Sequence, residues 1–82
     1  MDRPAIIAKI AETLAEVLDE DQVALSETTT ADDVEGWDSL AHVRLIIALE
    51  RAIGIRFEST EITAPENIGQ MVDLIQAKLA RV

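Results

Sequence analysis

Cysteine and tyrosine are absent from this 82-residue chain, and its aromatic residues are one tryptophan and one phenylalanine. Without thiols there is neither a disulfide framework nor a thiolate zinc site, so any thiol chemistry must arrive on a cofactor. Positive charge is scarce: seven Lys and Arg stand against 16 Asp and Glu, a formal net charge of −9. That sign opposes phosphate backbones and anionic membrane surfaces, so nucleic acid is not an expected ligand. No run approaches the ~18 apolar residues of a membrane span. The opening MDRPAIIAKIAETLAEVL carries charges at Lys9, Glu12 and Glu16 and lacks the uninterrupted apolar segment and cleavage site of a secretory signal. The expectation is a cytoplasmic protein without membrane insertion.

What is present is apolar side chains, 49% of the residues. At this length the chain reads as a single domain over residues 1–82, burying roughly 60% of its unfolded surface. A core that thin argues against a deep catalytic pocket. Ile6, Ile7, Ile10, Leu14, Val17 and Leu18 recur at helical spacing after Pro4, which suits a first turn, and predict a helix over 4–18. Residues 19–38 hold eight acids and no Lys or Arg, and read as a long loop. A structureless loop of about 20 residues is unusual in a small domain, and Val23, Leu25, Val34 and Trp37 are placed to peg it to the core.

Leu40, Val43, Ile46, Ile47, Leu49 and Ile53 predict a second helix over 39–53, with Gly54 as a left-handed C-terminal cap. Ile55 and Phe57 return the chain to the core, and residues 59–62 form a short helical turn. Thr63, Pro65 and Glu66 resemble a capping box with proline in the first turn. Ile68, Met71, Val72, Ile75, Leu79 and Val82 then give a last helix over 64–80. The fold class is all-α, a small antiparallel bundle of three main helices, one short helix and a long loop between the first two main helices.

The chemistry concentrates in GlyTrpAspSerLeu at 36–40. The dense acids do not make a calcium loop, because the D-x-[DN]-x-[DN]-G spacing is missing. Ser39 has the only histidine, His42, three residues on, but there is no G-x-S-x-G elbow and no evident third member, so a Ser39/His42 esterase is the weaker reading. From the residues alone, Asp38 or Ser39 caps the second helix. Trp37 is a core peg or a contact for a partner.

Taken together, a small acidic helical chain with a long loop and AspSerLeu at 38–40, continued by AlaHisValArgLeuIleIleAlaLeuGlu, resembles the acyl carrier protein family over nearly its full length. The resemblance implies a 4′-phosphopantetheine arm esterified to Ser39, with Asp38 and Leu40 flanking it and the arm's thiol carrying cargo as a thioester. It implies no catalysis by the chain itself. Expected partners are a phosphopantetheinyl transferase, an acyl- or aminoacyl-loading ligase, and acyl-processing or transferring enzymes, met by a monomer. Asp38 is then assigned to capping, or to contact with the transferase or its metal. The main rival from another class is an unmodified helical interaction module.

The chain departs from the family's usual patterns in two respects. Carriers of fatty acid synthesis show an acidic stripe on helix two, whereas here Ala41, Arg44, Ala48 and Arg51 share a stripe. The segment Ser39 to Arg56 has three arginines and one acid, Glu50. Local pairing, such as Glu50 with an arginine, is one reading; the other is partner selection by Arg44, Arg51 and Trp37. The Gly-Gly pair frequent in peptidyl carrier domains is missing too, so a stand-alone carrier of a specialised pathway is the expectation.

Overall fold

The computed structural model describes residues 1–81; Val82, expected on the last helical stripe, lies outside the described residues. Among the described residues four α-helices form: α1 (Arg3–Leu18), α2 (Ser39–Leu49), α3 (Ser59–Thr63) and α4 (Ile68–Leu79). No strand is present among the described residues. Helix α1 packs against both α2 and α4.

Each helix start is specified locally. Asp2 caps α1 by accepting from the Ala5 amide at 3.0 Å, with Pro4 in the first turn. At its other end Asp19 takes a left-handed φ of 56°, so that the Glu20 amide reaches back to the Ala15 carbonyl at 2.9 Å. Ile6, Ile10 and Leu14 from α1, Leu45 and Leu49 from α2, and Ile68, Val72 and Ile75 from α4 are all fully buried and make the core.

The long connection is ordered by three devices. Val23, Leu25 and Val34 pack on the core and Trp37 is buried in it. Thr30 and Asp33 bracket a 3₁₀ turn at Ala31–Asp33, the Thr30 amide donating to Asp33 Oδ2 at 2.9 Å. The loop also feeds the start of α4: Ile68 N–H donates to the Thr29 carbonyl at 2.9 Å and Gly69 N–H to the Glu27 carbonyl at 2.8 Å. These bonds satisfy amides that a helix start leaves without partners.

Two boundaries differ from the sequence expectation by more than one residue. Helix α4 begins at Ile68 and not at residue 64, because Asn67 is its cap, accepting from Gln70 N–H at 2.9 Å, and the loop carbonyls claim the next amides. Thr63 closes α3 instead, and Pro65 lies outside both helices. The α-helical part of α2 stops at Leu49, and Glu50–Gly54 form a wider π turn before Gly54 turns the chain with a φ of 81°. Glu50 accepts the Phe57 amide at 2.9 Å, which ties the returning chain to this turn.

Candidate functional site

Ser39 is the first residue of α2 and is exposed. Asp38, not Ser39, is the cap: its Oδ1 accepts from Ala41 N–H at 2.8 Å, and its carbonyl accepts from His42 N–H at 2.9 Å. The division of labour leaves the Ser39 hydroxyl free of the helix. It also leaves the Ser39 and Leu40 amides unclaimed at the helix start among the described residues. Gly36 makes the preceding turn with a φ of 89°, where a side chain would be strained.

Trp37 and His42 form a brace beside this serine. The indole N–H donates to His42 Nδ1 at 3.1 Å, and the rings stack with centroids 5.9 Å apart. An indole can only donate, so Nδ1 must present its lone pair and Nε2 must carry the hydrogen. Nε2–H then donates to the Ile62 carbonyl at 2.6 Å, linking α2 to α3. Both imidazole nitrogens are occupied, and neither is a base for Ser39. The geometry disposes of the Ser39/His42 esterase. Trp37 is 9% exposed and its N–H is spent on His42, so within this fold it meets the core and the imidazole.

An open groove of about 490 Å³ adjoins Ser39, with Trp37 and His42 in its wall and Val43, Ile62 and Pro65 among its lining residues. Its α3 side is held by Lys78, whose Nζ lies 2.6 Å from Glu61 Oε1 and 5.5 Å from the Phe57 ring centroid. The Lys78 hydrogen bond, with help from the Glu58 amide, holds the Glu61 carboxyl below the ordinary range. None of Ile62, Pro65 or Lys78 was legible as a site residue, because they reach it only when α3 and α4 fold back. No group of His, Asp or Glu among the described residues is arranged to hold a metal ion.

On α2 the structure turns Ala41, Leu45, Ile46 and Leu49 inward. Leu40, Val43 and Ile47 face solvent at 59%, 46% and 48% exposure. Ala41 therefore leaves the stripe assigned to it with Arg44 and Arg51, which are themselves exposed. Glu50 does not pair with an arginine; its carboxylate is taken by the Phe57 amide.

A family model described as the phosphopantetheine attachment site matches residues 8–75. The acyl carrier protein of Saccharopolyspora erythraea is 33% identical over 82 residues, spanning 100% of this chain and 86% of the relative. The solution structure of a holo acyl carrier protein from Geobacter metallireducens superposes with a TM-score of 0.81 at 36% identity, covering 92% of this chain and 86% of that one. The crystal structure of an acyl carrier protein from Thermotoga maritima gives a TM-score of 0.85 at 27% identity, covering 99% and 94%. The chain thus belongs to the phosphopantetheine-attachment family as an acyl carrier protein: it bears a covalent 4′-phosphopantetheine, is acted on by a phosphopantetheinyl transferase and acyl-processing enzymes, and is itself no catalyst.

Proposed function

We propose that Ser39 is the residue that carries the 4′-phosphopantetheine, in an acyl carrier that serves a specialised pathway and is loaded by a dedicated ligase. The observation that carries this reading is the exposed Ser39 hydroxyl at the first position of α2, released from capping by Asp38 and set beside the open groove. A phosphodiester at that position places its charge at a helix N-terminus, where the free amides and the helix dipole favour it. The arm supplies the thiol that this cysteine-free chain lacks, and holds the acyl group as a thioester.

The residues around Ser39 position and do not react. Asp38 fixes the helix start through Ala41 N–H. The Trp37–His42–Ile62 brace keeps loop, α2 and α3 in register beside the serine. Leu40 stands next to Ser39 as an exposed apolar contact for the enzymes that handle the arm. Like-charged copies repel at a net charge of −9, which favours a monomer, and a cytoplasmic setting supplies the coenzyme A from which the arm is taken.

The test is intact mass spectrometry of wild type and Ser39→Ala after incubation with coenzyme A and a broad-specificity phosphopantetheinyl transferase. Wild type should gain one phosphopantetheinyl group and the variant none. Equal modification of the variant, or none of folded wild type while a control carrier is modified, overturns the assignment.

A further inference from the structure

The groove beside Ser39 has a smaller neighbour. A pocket of about 50 Å³ has Thr29, Asn67 and Met71 in its lining, and Met71 is a core residue only 2% exposed. Ala31, Trp37, His42 and Pro65 line both this pocket and the outer groove of about 490 Å³. Residues shared by two adjoining cavities stand between them. These four therefore form a partition, with Ser39 on its outer side and the core on its inner side.

The partition is bonded together as well as packed. The Trp37 indole N–H on His42 Nδ1, at 3.1 Å, and His42 Nε2 on the Ile62 carbonyl, at 2.6 Å, run from the loop through α2 to α3. On the core side the Thr29 carbonyl holds Ile68 N–H at 2.9 Å and Asn67 caps α4, so the loop is pinned there too. Widening the passage breaks these bonds, and a buried indole N–H left without an acceptor is costly. The inner pocket itself has room for about one or two water molecules, far less than an alkyl chain needs.

An acyl group tethered through the arm has apolar surface to hide. Outside the partition Trp37, Val43, Ile62 and Pro65 offer it contacts, but the groove is open and covers one flank of a chain. Each methylene that extends past the groove stays in water.

We propose that Trp37 and His42 set the cargo class of this carrier: they close the passage to the core, confine the acyl group to the outer groove, and so select short chains. The inference deepens the carrier reading and rests on Ser39 holding the arm, because the occupant of the groove is the cargo tethered at its own rim. The pair acts by shape and bonding and takes no part in any reaction of the thioester.

The experiment compares ¹⁵N-labelled protein loaded with butyryl- or dodecanoyl-phosphopantetheine, each transferred from its acyl-coenzyme A by a broad-specificity transferase and verified by intact mass. In wild type both cargoes should shift groove amides such as Val43 and Ile62, neither should shift Met71 or Val72, and the two forms should share one thermal midpoint. His42→Ala takes the imidazole out of the partition. Its dodecanoyl form should shift the Met71 and Val72 amides and melt roughly 4 °C above its butyryl form. Trp37→Phe keeps an aromatic ring in the core while losing the indole bond, and should show the same responses if His42→Ala does not fold. Core shifts or a chain-length-dependent midpoint in wild type would overturn the proposal, as would the lack of both in whichever variant folds. Groove amides unmoved by either cargo would overturn it too, leaving the groove to another occupant. A missing acyl mass would overturn the Ser39 assignment beneath it, and the mass spectrum reports that outcome before any shift is read.

Discussion

Asp38 and Ser39 are adjacent polar residues with separate tasks, and substitutions should separate them. Asp38→Ala removes the acceptor for Ala41 N–H and should lower stability by about 1 kcal/mol in denaturant unfolding, while Asp38→Asn stays within a few tenths. His42→Leu leaves the buried Trp37 N–H without an acceptor and should cost about 1 to 3 kcal/mol. Adding Trp37→Phe to His42→Leu removes the orphan donor, and the double variant should be less destabilised than the sum of the singles. An additive pair would mean that the indole bond is not what His42 supplies. AspSerLeu was legible as a motif, because its meaning is local. The brace was not, since its third member is a carbonyl 20 residues away.

Among the elements, α4 and the long loop depend on one another. Gly69 sits in a helix, where alanine ordinarily stabilises by up to about 1 kcal/mol. Here an added Cβ would lie 3.0 Å from the Glu27 carbonyl oxygen, which cannot retreat without losing its bond from Gly69 N–H. Gly69→Ala should therefore destabilise, by about 1 kcal/mol, against its helix propensity. Arg3 reinforces the same junction: its guanidinium donates to Glu27, to Asp73 Oδ1 at 2.6 Å and to the Gly69 carbonyl at 3.2 Å. That hydrogen bond holds the Glu27 carboxyl below its ordinary value. A lowered folded-state value means stability that is present above the unfolded value, about 4.3, and lost as pH falls through the folded one. The stability gap between wild type and Arg3→Met should accordingly shrink as unfolding is measured from pH 6 down to pH 3. A constant gap would assign Arg3 a packing role alone.

In the molecule as a whole, charge is segregated: the 19–38 loop is wholly acidic in its charged residues, and 39–56 is mostly basic in its own. A net charge of −9 repels itself, and the surface ion pairs oppose this weakly. Adding salt from 0.01 to 0.15 M, which shortens the screening length from about 30 to 8 Å, should raise the thermal midpoint. A fall would mean that the Arg3 and Lys78 pairs outweigh the repulsion.

The sequence by itself determined the all-helical fold, the place of Ser39 at the head of the second helix, and the need for an imported thiol. Each follows from a local property: spacing of apolar residues, a capping side chain, an absent residue type. It could not decide which face of α2 is inward, because that helix has aliphatic residues nearly all round and periodicity then loses its phase. Packing decided it: α2 lies against α1 with Leu45 and Leu49 buried in the shared core, leaving Leu40, Val43 and Ile47 outside with the arginines. The start of α4, the hydrogen-bond partners of His42 and the solitude of Arg44 and Arg51 were settled in the same way. Each depends on partners that only the folded chain brings within reach.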